Sequence, residues 1–125
     1  MTLLEMATHM QDLAHSPDIL DAVEQYYADD VVVVEATGET ATGKETQKGR
    51  VQEFFKSVKT MHGGGVTAIA ANETAPGTGV VFVETSDDID FHEGGRMQFE
   101  EVAVQRWEDG KIVHERFYYV PPPSA

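Results

Sequence analysis

In a chain of 125 residues, the most suggestive position for proton chemistry is a glutamate that closes a run of four valines. Glu35 follows Val31, Val32, Val33 and Val34. Apolar surroundings raise a carboxylate's pKa and fit it to exchange protons near neutrality, although a strand-end carboxylate in water has the same sequence signature. Glu115 interrupts a second apolar series, Val113, Phe117 and Tyr119. On a buried face it needs a partner or a proton, and Glu84 is expected nearby. Carboxylates that share one apolar site push their pKa values apart, leaving one as base and another as a neutral donor. A Glu115 that reaches water from a sheet edge is the alternative. Tyr119 offers a hydroxyl to a developing oxyanion, whereas Tyr27 and Phe55 suit a core or a pocket wall.

Other chemistries lack their residues. His9 and His15 stand six apart, on different faces of a helix, and His62 and His92 sit near glycines, so no metal site is expected. His114 reads as a surface or interface residue. Asp87, Asp88 and Asp90 lack the further ligands of a calcium loop and read as a solvated hairpin end. The glycines at 63–65 precede a strand pattern, whereas a phosphate loop precedes a helix, so neither a nucleotide nor any other cofactor is implied. Cysteine is absent, which removes disulfides and thiolates. With 22 acidic and 9 basic side chains the net charge is −13, which repels nucleic acids and anionic membranes; neither is expected as a partner. No stretch approaches the about 20 apolar residues of a spanning helix. The N-terminus carries Glu5 and Asp12 in place of a basic leader, so the expected location is cytoplasmic.

These residues must be positioned by elements that the hydrophobic pattern outlines. Leu3, Met6, Met10 and Leu13 mark a helix at about 2–15. Ser16 and Pro17 start a second at about 17–28, with Leu20, Val23 and Tyr27 on its apolar stripe. A capping box of Thr42 and Glu45 opens a third at about 43–62, buried through Val51, Phe54, Phe55, Val58 and Met61 and stopped by the glycines at 63–65. Valines 31–34 form a strand. From 66 onward the period is two, giving strands at 66–73, 79–91, 96–107 and 111–120. Helices followed by a strand meander imply a single α+β domain over 1–125, with a proline-rich tail at 121–125.

Loop lengths then set the inner face. A three-residue loop at 108–110 and an even loop near 93–94 place Val80, Phe82, Glu84, Phe99, Glu101, Ala103, Gln105, Trp107, Val113, Glu115, Phe117 and Tyr119 inward. This set, with Tyr27 and Phe55, suits a small-molecule pocket. Val81, Val83, Val102, Val104, Ile112 and Tyr118 would face outward, where a second copy of the chain is expected to cover them.

The segments Tyr26-Tyr27-Ala28-Asp29-Asp30-Val31, Thr42-Gly43-Lys44-Glu45 and Trp107-Glu108-Asp109-Gly110-Lys111-Ile112-Val113 resemble those of SnoaL-like proteins in the nuclear transport factor 2-like superfamily. The resemblance implies three helices in the concave face of a strongly bent sheet, a cone with a deep pocket, and a homodimer through the sheets. Its members include cyclases, isomerases, hydrolases and binding proteins without chemistry. Matching the Ala-Asp-Asp segment to that of ketosteroid isomerase places Glu35 at the general base, while that enzyme's second acid falls near Ala103. The expected function is a cofactor-free isomerase, cyclase or dehydratase with Glu35, Glu115 and Tyr119 as catalytic groups. Tyr27, Phe55, Phe82, Glu84, Phe99, Gln105, Trp107 and Phe117 would line the site. A ligand-binding or dimerisation module is the alternative.

Overall fold

The computed structural model describes residues 1–119, so the end of the last expected strand and the proline-rich tail lie outside the described residues. Three helices, α1 (Leu3–Ala14), α2 (Ile19–Tyr26) and α3 (Lys44–Ser57), pack on one face of an open six-stranded sheet. The strands are β1 (Tyr27–Val34), β2 (Thr40–Thr42), β3 (Val58–Ala75), β4 (Thr78–Phe91), β5 (Gly95–Glu108) and β6 (Lys111–Tyr118). Their spatial order is β2-β1-β6-β5-β4-β3, antiparallel throughout except for the β1–β6 pair. This is the α+β cone architecture expected from the sequence.

The first two helices form for local reasons. Thr2 and Glu5 make a reciprocal capping box on α1, with Thr2 Oγ1 accepting from the Glu5 N–H at 3.1 Å and Glu5 Oε1 from the Thr2 N–H at 2.9 Å. Leu3, Ala7 and Met10 bury its stripe. The second helix starts later than proline placement suggested, because Ser16 Oγ accepts from the Asp18 N–H at 3.0 Å and donates to Leu13 O at 2.7 Å, holding a turn first. Lys44 and Lys111 donate to the carbonyls of Glu24 and Gln25, satisfying acceptors that the end of α2 leaves open.

The third helix departs most from expectation. It begins after Gly43, whose φ of 101° serves as the cap, while Thr42 belongs to β2 and makes no capping box. It ends at Ser57, and none of its residues is fully buried; Phe54 and Phe55 are 39% and 42% exposed. Residues 58–65, expected to extend the helix and then stop it, pair with β4 instead. A run of glycines is a poor helix, and here it permits close strand approach. A Cβ on Gly64 would stand 2.6 Å from Asp87 Oδ1 and 2.7 Å from Ser86 O.

Two hairpins set the faces. Glu108 pairs with Lys111 across a two-residue turn in which Asp109 and Gly110 both take positive φ, 49° and 79°. Val113 then forms a bulge, so Trp107 faces Ile112 but Gln105 faces Glu115. The bulge cancels the shorter loop, and Glu115 stays inside while Val113 does not hold the inner position expected of it. In the β4–β5 hairpin Phe91 pairs with Gly95, which leaves three loop residues where an even number was expected. The face of β4 is therefore reversed. Val81, Val83, Thr85, Asp87 and Ile89 point inward, whereas Val80, Phe82 and Glu84 point outward, Phe82 being 47% exposed. Ile112 is also inside rather than outside, and Trp107, Leu3, Val31, Val33, Val81, Val83 and Ile112 form the fully buried centre under α1 and α2.

Candidate functional site

Strand pairing lays the inner face out in rows. Val33, Glu115, Gln105 and Val81 are cross-strand neighbours. Two residues further on stand Phe117, Ala103 and Val83, with Glu35 just past the end of β1, and beyond them Glu101 and Thr85, with Tyr119 just past the end of β6, then Phe99 and Asp87. The alternation that buries Val31 and Val33 carries Glu35 to the same side.

The first row is a closed network. Tyr27 Oη donates to Glu115 Oε1, Gln105 Nε2 donates to Glu115 Oε2 at 2.7 Å, and Trp107 Nε1 donates to Gln105 Oε1 at 3.1 Å. Burial raises the Glu115 pKa, against the opposing pull of its two hydrogen bonds. Burial, and then the neighbouring Glu115, hold the Tyr27 phenol well above its ordinary value.

The outer rows are open and acidic. Glu35 accepts from Arg50 Nη2 of α3 at 2.6 Å, and the two side chains are 21% and 32% exposed. The Glu101 pKa is raised to about 7, first by burial and then by the charges of Asp87, Glu115 and Glu35. Burial also raises Asp87, with His15 at the end of α1 acting against it. Tyr119 is raised by burial and by the fields of Glu35 and Glu101. A cleft of about 470 Å³ opens at this end of the sheet, lined by Glu101, Phe117 and Tyr119 of the inner face and by Glu84, Val102, Arg116 and Tyr118 of the outer face.

Among the described residues, no group of three or more His, Asp or Glu side chains could hold a metal ion, and no helix is long and apolar enough to cross a membrane. Residues 1–119 match the SnoaL-like domain family. The chain belongs to that family. A Mesorhizobium loti protein provisionally named a SnoaL-like polyketide cyclase shares 29% identity and a TM-score of 0.81, the match covering 95% of this chain and all of that one. A Pseudomonas putida protein provisionally named a polyketide cyclase shares 18% identity at a TM-score of 0.77, covering 97% and 93% of the two chains. A Catenulispora acidiphila protein of ketosteroid isomerase-like fold, solved in complex with trimethylamine, shares 18% identity at a TM-score of 0.72, covering 94% and 86%. No curated protein sequence matches the chain.

In this SnoaL-like protein the expected site residues separate into groups. Glu35, Tyr119, Phe117 and Phe99 share the partly buried end of the inner face. Tyr27, Gln105, Trp107 and Glu115 are buried together beneath it, and both Glu115 oxygens are taken, so Glu115 is not free to donate to a ligand. Phe82 and Glu84 are on the outer face, the consequence of the odd loop at 92–94; Glu84 accepts from Thr67 Oγ1 at 2.7 Å and lines the cleft from that outer side. Phe55 is corrected too: it packs edge-on to Phe54 on the exposed side of α3. Three residues here had no site role assigned from sequence: Glu101, which was placed inward as observed, Asp87, which was read as part of a solvated hairpin end, and Arg50. A carboxylate between inward Phe99 and Ala103 was the available signal for Glu101. Asp87 was hidden by the hairpin register, and Arg50 left no signal in the sequence.

Proposed function

We propose that this SnoaL-like protein is a cofactor-free enzyme that moves a proton next to a carbonyl in a small, mostly apolar molecule, as in isomerisation, dehydration or ring closure. One observation carries this reading: Glu35, Glu101 and Tyr119 lie at one end of the inner face, Glu101 and Tyr119 also lining the cleft, and their environments differ. Glu35 is engaged by a guanidinium, Glu101 holds its proton up to about neutral pH, and Tyr119 remains a phenol. Groups whose environments differ in this way can divide the work of base and donor. Glu35 accepts the proton, while Tyr119 or protonated Glu101 donates a hydrogen bond to the oxygen that gains charge. The cyclase names of the Mesorhizobium and Pseudomonas proteins support the same reaction class, and the trimethylamine complex supports small-molecule binding on this fold.

The test uses exchange of the acidic C–H of 2-tetralone for deuterium in D₂O, followed by NMR, which needs no knowledge of the natural substrate. Glu35→Gln should slow protein-catalysed exchange by about 10² to 10⁴, the usual loss on removing a general base. Exchange no faster than in buffer, or undiminished in Glu35→Gln, would overturn the assignment and leave the ligand-binding module.

A further inference from the structure

Among the described residues, two buried side-chain polar atoms have no hydrogen-bond partner, Arg50 Nη1 and Gln47 Oε1. Both belong to α3, three residues apart and therefore on one side of the helix. The other buried side-chain nitrogens and oxygens in the described part are matched, so both exceptions fall on α3, one of them on the guanidinium that holds Glu35. A guanidinium is a rigid fork of donors, and here one arm, Nη2, is on Glu35 at 2.6 Å while the other is left over. A buried donor left unpaired is destabilising, and an incoming oxygen would remove that penalty.

The geometry points to Arg50 as a catalytic residue whose unpaired Nη1 receives the carbonyl oxygen of the substrate while Glu35, held by the other arm, takes the proton from the adjacent carbon. This rests on the proposed function and narrows its substrate class to an oxo compound with an acidic C–H next to the carbonyl and a hydroxyl or N–H able to reach Gln47 Oε1. The electron balance closes without a co-reactant. The C–H pair becomes a C=C bond, the carbonyl π pair moves to oxygen, and the proton rests on Glu35. Where the substrate carries a β,γ double bond the enolate is a dienolate, and return of the proton to the γ carbon completes an isomerisation. Charge therefore leaves Glu35 and appears on the substrate oxygen without leaving the vicinity of the guanidinium, so Arg50 changes partner as the reaction proceeds. An interaction that forms as the charge develops lowers the barrier rather than merely tightening binding.

The probe is 4-nitrophenol, an apolar ring carrying an oxyanion whose colour reports ionisation. Glu35→Gln mimics the protonated base and frees the fork, so it should bind the ionised probe at least about tenfold more tightly than wild type, a difference equivalent to 1.4 kcal/mol. Adding Arg50→Gln should remove that gain, and Arg50→Lys, which keeps the charge but not the fork, should fall between. Equal affinity for the ionised probe in Glu35→Gln and Glu35→Gln/Arg50→Gln proteins, both folded by circular dichroism, would overturn the assignment. Should the double variant not fold, equal affinity in the Arg50→Lys version would do the same. The two readings fail separately: 2-tetralone exchange that survives Glu35→Gln removes the base but not the anchor, whereas Arg50-independent probe binding removes the anchor but not the base.

Discussion

Two ends of the same inner sheet face are built from the same alternation and behave differently. At the closed end, Trp107, Gln105, Glu115 and Tyr27 form a chain in which each polar group meets another, under a lid of Leu3, Ala22 and Val23. At the open end, Glu35 is held by a guanidinium whose second arm has no partner, and Tyr119, Glu101 and Asp87 stand beyond it on the same face. Both ends place carboxylates among aromatic residues, so carboxylate content alone does not distinguish stability from chemistry. The distinction is satisfaction. A buried carboxylate with both oxygens occupied rigidifies the fold, whereas one facing a cleft with its charge opposed by neighbours is available to exchange a proton.

The sharpest way to break that comparison is to truncate one aromatic residue at each end. Trp107→Ala removes a fully buried indole and its hydrogen bond, and should cost about 3–5 kcal/mol in urea unfolding. Phe54→Ala, at 39% exposure, should cost less than about 1.5 kcal/mol, since much of its surface already meets water. Equal losses would mean that α3 is as firmly part of the core as the closed end is.

Next in size is Tyr27→Phe, which leaves the volume and removes the hydroxyl that donates to Glu115. A buried acceptor deprived of its donor costs about 1–3 kcal/mol, so the urea midpoint should fall while 2-tetralone exchange per folded molecule stays unchanged. A loss of exchange without a loss of stability would assign the network to catalysis and erase the division between the ends.

Much of this arrangement is legible in the sequence, and the failures have physical causes. The stripe of Leu3, Met10 and Val23 fixes the helices over the sheet, and the inward alternation of β5 follows from Phe99, Ala103, Gln105 and Trp107 alone. Glu115 was placed correctly through two compensating departures, a shorter turn and the Val113 bulge. The β4 register had no such compensation, because two loops of different parity were compatible with the glycines at 94 and 95, and one residue of difference exchanged Glu84 for Asp87. Residues 58–62 read as helix because Val58 and Met61 continue the helical spacing of α3, but pairing with a long neighbouring strand outweighed that local pattern. Arg50 carries no sequence signal: its importance lies in which atoms of the fork are matched, and only coordinates reveal that.

The smallest expected effect sharpens the comparison through pH. Glu101 has its folded pKa raised to about 7 from 4.5, mainly by burial and then by Asp87, Glu115 and Glu35. Tyr119 borders the same cleft, and the charge of His15 at the end of α1 acts on Asp87. Between those two pKa values the folded state binds the proton that the unfolded chain has released, so stability falls as pH rises across the interval and levels off above it. Glu101→Gln removes that titration and should flatten the profile. Asp87 and Glu115, also raised by burial, act with the same sign, so a gentler slope should remain. The loss due to Glu101 should be smaller than that of Tyr27→Phe, because water reaches its carboxyl from the cleft and screens it. Urea unfolding of both proteins at a series of pH values spanning the interval makes the measurement. Parallel profiles would show that Glu101 ionises in the folded state as freely as in the unfolded one, and the open end would then lack the neutral acid that distinguishes it from a solvated acidic rim.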